Sequence, residues 1–207
     1  LGSLGVALVP VESPDEAELV FINTCAFIQP ATEESVRTIA QAIADIEELP
    51  KRPLLAVAGC LVGRYHAEDL APELPEVDLW LDNSDLEAWP AMLARKLGLP
   101  EPTVPGRILS TGPSYAWLKI SDGCRHACSF CAIPNIRGGH RSHCKDMIVR
   151  EARALLDQGV KELNLVAQDL TEWGCDLDGK QDLRTLLDGL LPLPGLERLR
   201  LMYLYPA

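Results

Sequence analysis

Three observations predict an α/β chain with parallel sheets in two domains. Apolar runs of strand length alternate with segments of helical period, the rhythm of parallel strands covered by helices. The periodicity lapses once, in a stretch dense in proline and glycine. The 207 residues are 47% hydrophobic and 24% charged, enough apolar surface to build a packed core.

Taken in order, Val6 to Val9, Leu19 to Asn23, Leu54 to Ala58 and Val77 to Leu81 read as buried strands. Between the second and third of these, Val36, Ile39, Ala40, Ile43 and Ile46 recur at three- and four-residue steps and predict one apolar helix face, ended by Pro50. Ser84 with Glu87 forms a capping-box signature for another helix. Pro100, Pro102, Pro105 and Pro113, with Gly106 and Gly112, mark a linker. The expected domains are therefore 1–104 and 114–207, with 105–113 between them. The second opens with a strand at Tyr115 to Ile120 and a long loop. A helix follows with Ile148, Val149, Ala152, Leu155 and Leu156 on one face and Gly159 just past its end. A strand at Glu162 to Ala167, a helix near Gln181 to Leu191 and a strand at Arg198 to Leu204 complete the reading. Three strands cannot close a β/α barrel, so a barrel here would be only begun. The chain starts without Met and stops just after a strand, and it is expected to be a fragment.

The charge balance, 19 basic against 30 acidic residues, gives −11 and opposes direct binding of phosphate backbones, though a local basic patch could still supply it. The longest uncharged stretch, the 14 residues between Glu18 and Glu33, is too short to span a bilayer, so no membrane association is expected. The N-terminus lacks a basic segment followed by an apolar one, and a cytoplasmic location is expected.

Seven cysteines is an odd count, and three of them, Cys124, Cys128 and Cys131, lie on one short loop directly after a strand. That spacing suits a metal better than a disulfide framework, and it implies a reducing compartment. Three thiolates can hold three corners of a 4Fe–4S cube and leave the fourth iron open to substrate. A zinc site or ordinary buried thiols are the bland alternatives. Cys144 could instead close the cluster as a fourth ligand and leave an electron carrier, and His140-x2-His143-Cys144 could form a small metal site. Cys25 and Cys60 each sit just past a buried strand, where the carboxyl ends of parallel strands converge on one crevice. Read alone, they are more often ordinary buried cysteines. No acid–base dyad is visible in the sequence.

The cysteine spacing, with Phe130 just before the third cysteine, is similar to that of the radical S-adenosylmethionine (SAM) enzymes. That likeness implies SAM chelated to the open iron and Phe130 near its adenine. Asn23-Thr24-Cys25-Ala26-Phe27-Ile28, Ala58-Gly59-Cys60-Leu61, Tyr115 to Cys131, Ile133-Pro134-Asn135-Ile136-Arg137-Gly138 and Val166-Ala167-Gln168-Asp169 together resemble the methylthiotransferase family. The resemblance implies a Rossmann-like N-terminal domain followed by the first part of a radical SAM partial (β/α) barrel. It implies two 4Fe–4S clusters, one binding SAM at Cys124, Cys128 and Cys131. The other, auxiliary and sulfur-supplying, would use Cys25 and Cys60 with a further cysteine upstream of Leu1. Gln168 matches a position that binds the methionine moiety of SAM. His143-Cys144 departs from the family's usual Arg-Pro pair, and Cys175 has no recognised counterpart.

The segment Leu118 to Cys124 is similar to the branch that inserts sulfur and a methyl group at the β-carbon of an aspartate in the twelfth small-subunit ribosomal protein. The implied partners are that protein and a flavodoxin or ferredoxin reductant. Modification of a tRNA adenosine beside the anticodon is the alternative, and a non-catalytic iron–sulfur carrier is a second. With parts of the family's architecture missing, this fragment alone is expected to be inactive.

Overall fold

The computed structural model describes residues 16–86, 88–100, 109, 112 and 114–205. The strand expected at Val6 to Val9, Glu87 of the expected capping box, and most of the linker at 105–113 lie outside them. The fold is α/β with parallel sheets. Two compact units divide the chain, one within residues 1–108 together with 135–137, the other comprising 109–134 and 138–207.

The first unit is a parallel sheet in the order β1 (Leu19–Thr24), β2 (Leu54–Gly59), β3 (Leu79–Leu81). Its central strand is buried on both faces, which is why Leu54 to Gly59 is continuously apolar instead of alternating. One face carries Leu55 and Val57 against Ile39 and Ile46 of α1 (Gln29–Glu47) and Leu61 and Val62 of α2 (Cys60–Tyr65). The other packs Ala56, Ala58 and Leu81 against Leu93, Trp89 and Met92 of α4 (Trp89–Leu97). A short helix α3 (Ala67–Leu70) precedes β3.

One expectation is corrected here: Val36 and Ala40 are exposed, and α1 instead buries Thr32 and Ser35 beside Ile39 and Ile46. Polar side chains are absent from a purely apolar count, yet these two are buried because backbone groups accept their hydroxyls, Ile28 O that of Thr32 and Cys25 O that of Ser35. Asp82 caps a one-turn 3-10 segment at Asn83–Asp85 by accepting the Ser84 N–H, and α4 starts at Trp89. Pro90 lies in its first turn, where the missing N–H costs nothing.

The second unit is a parallel sheet ordered β4 (Tyr115–Lys119), β7 (Glu162–Val166), β8 (Arg198–Leu201). Helices α6 (Lys145–Asp157) and α7 (Leu183–Leu190) cover one face through Ile148, Ala152, Leu155, Leu186 and Leu190, which meet Ala116, Leu118, Leu163 and Leu165. The opposite side carries the row Trp117, Asn164 and Arg200, aligned by strand register, and Glu162 paired with both Arg198 and Arg200. Between β4 and α6 lie two very short strands, β5 (Ser121–Asp122) and β6 (Arg141–Ser142), paired antiparallel, and helix α5 (Ile133–Arg137). The last strand ends at Leu201, three residues sooner than its apolar run.

Candidate functional site

The cysteine loop is a closed structure. Ser121 pairs with Ser142 and Asp122 with Arg141, so the chain leaving β4 returns to its own base before α6 begins. Just inside that base Gly123 adopts a positive φ of 66°, and a Cβ there would lie 2.1 Å from the Gly139 carbonyl oxygen. Only glycine fits. Cys124 N–H then donates to Gly138 O (3.2 Å), and Cys131 N–H donates to Cys128 O (3.1 Å), which turns the chain back between the second and third thiols. Cys128 is exposed, and Cys124 and Cys131 are half-buried. All three thiols thus ride on one loop whose base is fixed by backbone bonds. Phe130 projects into solvent at 90% exposure.

Cys144 follows β6 and sits at the start of α6, where its carbonyl accepts from Met147 and Ile148 N–H. His140 and His143 go to different partners. His140 Nε2 lies 3.0 Å from Ser142 Oγ and 3.6 Å from Asp176 Oδ1, whereas His143 Nε2 lies 3.6 Å from Asp122 Oδ2. The grouping of His140, His143 and Cys144 considered from the sequence is therefore not formed. His140 is gathered instead with Cys175 and Asp176.

Gln168 and Asp169 follow the end of β7, the strand beside β4. Gln168 Oε1 is buried and has no hydrogen-bond partner among the described residues. Such an atom costs stability unless a ligand satisfies it. Asp169 is fully engaged: Thr171 N–H and hydroxyl donate to Oδ1 (2.9 and 2.6 Å), and His126 Nε2 lies 2.8 Å from Oδ2. Burial works against its charge, but the Thr171 and His126 contacts outweigh burial and hold the carboxyl below its ordinary range. His126 belongs to the cysteine loop and stacks on Tyr205 with centroids 4.7 Å apart. The two members of this His–Asp pair are 43 residues apart and only the fold joins them.

In the first unit, Thr24 and Gly59 are register partners at the ends of β1 and β2, so Cys25 and Cys60 emerge side by side from neighbouring strands. The Thr24 hydroxyl donates to Ala58 O (2.6 Å) and accepts from Leu61 N–H (3.2 Å), tying the two exits together. Gly59, at a φ of 104°, leaves room that a Cβ, 2.3 Å from Thr24 O, would not. Ser35 of α1 accepts from Cys25 N–H (3.1 Å) and donates to Cys25 O (2.8 Å). The backbone of Cys25 is fixed while its side chain stays exposed. Arg64 of α2 donates to Ala26 O at 2.6 Å, bringing a cation to the same strand ends.

Soft thiolate donors on fixed loops suit iron–sulfur ligation, and the unsatisfied Gln168 carboxamide suits a polar ligand next to such a cluster. Sequence reasoning missed Ser35, Gly123, His126, Asp169 and Arg64. The Asp169-x-Thr171 turn pattern was the one local signal that pointed to any of them.

Comparison with known proteins adds likenesses of sequence. A family model described as "Uncharacterized protein family UPF0004" matches residues 3–82. The chain is 68% identical over 207 residues to "Ribosomal protein uS12 methylthiotransferase RimO" of Nitratidesulfovibrio vulgaris (strain DP4), covering all of this chain and 48% of that protein. The chain aligns with RimO proteins from end to end. Proteins of the same name from Lawsonia intracellularis (strain PHE/MN1-00) and Aquifex aeolicus (strain VF5) are 57% and 47% identical, again over 100% of the chain and over 47% and 45% of their own lengths. The methylthiotransferase resemblance seen in the motifs thus extends over the whole chain, which spans about half the length of the curated relatives it matches. Among the described residues no helix is long and apolar enough to cross a membrane.

Proposed function

We propose that this chain is the cofactor-holding part of a radical SAM methylthiotransferase that modifies the β-carbon of an aspartate in ribosomal protein uS12. The observation that carries this reading is the closed loop bearing Cys124, Cys128 and Cys131 beside a strand end that presents the unsatisfied Gln168 Oε1. The likeness to proteins named for that reaction supports it. When bound, a cluster on these three thiolates and an auxiliary cluster on Cys25 and Cys60 would supply reductive SAM cleavage and sulfur, respectively, chemistry that belongs to the cofactors.

The chain's own residues position those groups. Gly123 and the β5–β6 ladder set the loop, and Gln168 and Phe130 would hold the methionine and adenine ends of SAM. Ser35 and Thr24 hold the strand ends from which Cys25 and Cys60 emerge. The second unit, with helices on one sheet face and Trp117, Asn164 and Arg200 on the other, is read as the first part of a partial barrel. Domains at 1–104 and 114–207 joined by 105–113, a cytoplasmic setting and a flavodoxin or ferredoxin reductant complete the proposal. An acidic chain suits a basic ribosomal protein better than tRNA.

The test uses the whole protein, reconstituted anaerobically with iron and sulfide and given SAM and dithionite. It should release 5′-deoxyadenosine, and a Cys124→Ala/Cys128→Ala/Cys131→Ala variant should not. Absence of 5′-deoxyadenosine overturns the enzyme reading and leaves an electron carrier. Mass spectrometry of uS12 should show a methylthio-aspartate; a methylthio-adenosine in tRNA would overturn the substrate assignment.

A further inference from the structure

The second unit brings together a histidine, a thiol and a carboxylate that neither candidate cluster uses. A ring nitrogen of His140, Sγ of Cys175 and a carboxylate oxygen of Asp176 all lie within 4.8 Å of one another. His140 is at the end of the cysteine loop, and its side chain is only 3% exposed. Cys175 and Asp176, 35 residues on, are open to solvent on the segment after β7, so a cation can enter. We infer that His140, Cys175 and Asp176 form a mononuclear site for a borderline-soft divalent cation, zinc above all, with water as the fourth ligand.

The geometry fits a shared ion better than a hydrogen bond. His140 Nε2 and Asp176 Oδ1 are 3.6 Å apart, too long for a good hydrogen bond. Two ligands of one tetrahedral zinc, with bonds of about 2.0–2.3 Å, are separated by about 3.3–3.6 Å. The carboxylate is already oriented: Ser142 N–H donates to Oδ2 at 2.8 Å and leaves Oδ1 turned toward the imidazole. Such outer bonds are what hold ligands in place around a metal. Ser142 Oγ, 3.0 Å from Nε2, is itself held by Gly174 N–H at 2.9 Å. A cation would take over the Nε2 lone pair and leave that second bond intact.

A bound divalent ion would take the Cys175 sulfur as thiolate, the thiol proton passing to solvent, and would sit against the carboxylate of Asp176. The neighbouring trio of His126, Asp169 and Glu172 is not equivalent, because Arg125 Nε already sits 2.5 Å from Glu172 Oε2 and Asp169 is fully bonded. The ion would clamp the end of the cysteine loop to the segment after β7. This inference is independent of what the clusters catalyse.

The experiment loads the full chain with iron and sulfide, adds zinc, removes loosely held metal with a chelator and measures zinc content, affinity and the zinc-edge X-ray absorption spectrum. About one zinc per chain is expected, with one sulfur and three nitrogen or oxygen neighbours. Cys175→Ser and Asp176→Asn should each weaken zinc binding at least about tenfold, and Cys144→Ser should leave it unchanged. Circular dichroism of each variant checks its fold, and the two altered ligands provide independent readings should one variant misfold. No retained zinc, two or more sulfur neighbours, or undiminished affinity in both folded variants overturns the site.

Discussion

Ser35 holds both backbone groups of Cys25: its hydroxyl oxygen accepts the N–H at 3.1 Å and donates to the carbonyl at 2.8 Å, across ten residues of sequence. One helix side chain thus fixes the exit of β1 without touching the thiol. Ser35→Ala should cost about 1 kcal/mol, since it removes two hydrogen bonds to part-buried backbone groups. Thr38→Ala, which removes an exposed hydroxyl bonded only to Glu34 O, should change stability by less than about 0.5 kcal/mol. Urea unfolding midpoints check both.

Gly123 and Gly138 both have positive φ, 66° and 73°, but differ in surroundings. A Cβ at Gly123 would meet Gly139 O at 2.1 Å, and one at Gly138 meets nothing within 4 Å. Gly138, at a φ of 73° and a ψ of −169°, is in a region nearly restricted to glycine, and Gly138→Ala should cost about 1–3 kcal/mol of backbone strain but keep its iron. Gly123→Ala must open the base of the loop, and after reconstitution it should lose roughly four iron atoms per chain. Iron analysis of the two variants separates them.

Gln168 gives a trade between stability and binding. Its Oε1 is buried without a partner, so Gln168→Met should be neutral or stabilising by up to about 1 kcal/mol in the free chain. The same change should weaken SAM binding to the reconstituted whole protein about tenfold, the value of one hydrogen bond. Thermal unfolding and equilibrium dialysis read the two effects.

Asp182 caps α7 by accepting the Thr185 N–H (2.8 Å) and hydroxyl (2.7 Å), and these bonds hold its carboxyl below the usual range. A carboxylate lowered in the folded state stabilises above its unfolded pKa of about 3.9 and loses that contribution as pH falls through the folded value. The thermal midpoint of Asp182→Ala should therefore lie below that of the parent at about pH 6, and the gap should close as pH falls toward about 2.

Much of this was legible in residues close together in sequence. The run at Leu54 to Ala58 disclosed a strand buried on both faces, which excludes polar residues, and Tyr115 to Ile120 disclosed one whose alternate residues Ala116, Leu118 and Ile120 are buried. Once Leu19 to Asn23 and Leu54 to Ala58 are parallel neighbours, the adjacency of Cys25 and Cys60 follows from where the strands stop. The two-residue strands β5 and β6 were invisible, since no periodicity can be read from two residues. The buried face of α1 was misjudged for a related reason: Ser35 is inside because of what it bonds, not because of what it is.

The α/β rhythm, the spacing of Cys124, Cys128 and Cys131, and the strand ends that carry Cys25 and Cys60 are written in local periodicity and short-range spacing, which an unfolded chain also carries. It takes the folded chain to bring His126 to Asp169, to turn His140 away from His143 toward Cys175 and Asp176, and to leave Gln168 Oε1 unsatisfied. Those contacts join segments brought together by strand register and loop closure, and no spacing along the chain encodes them.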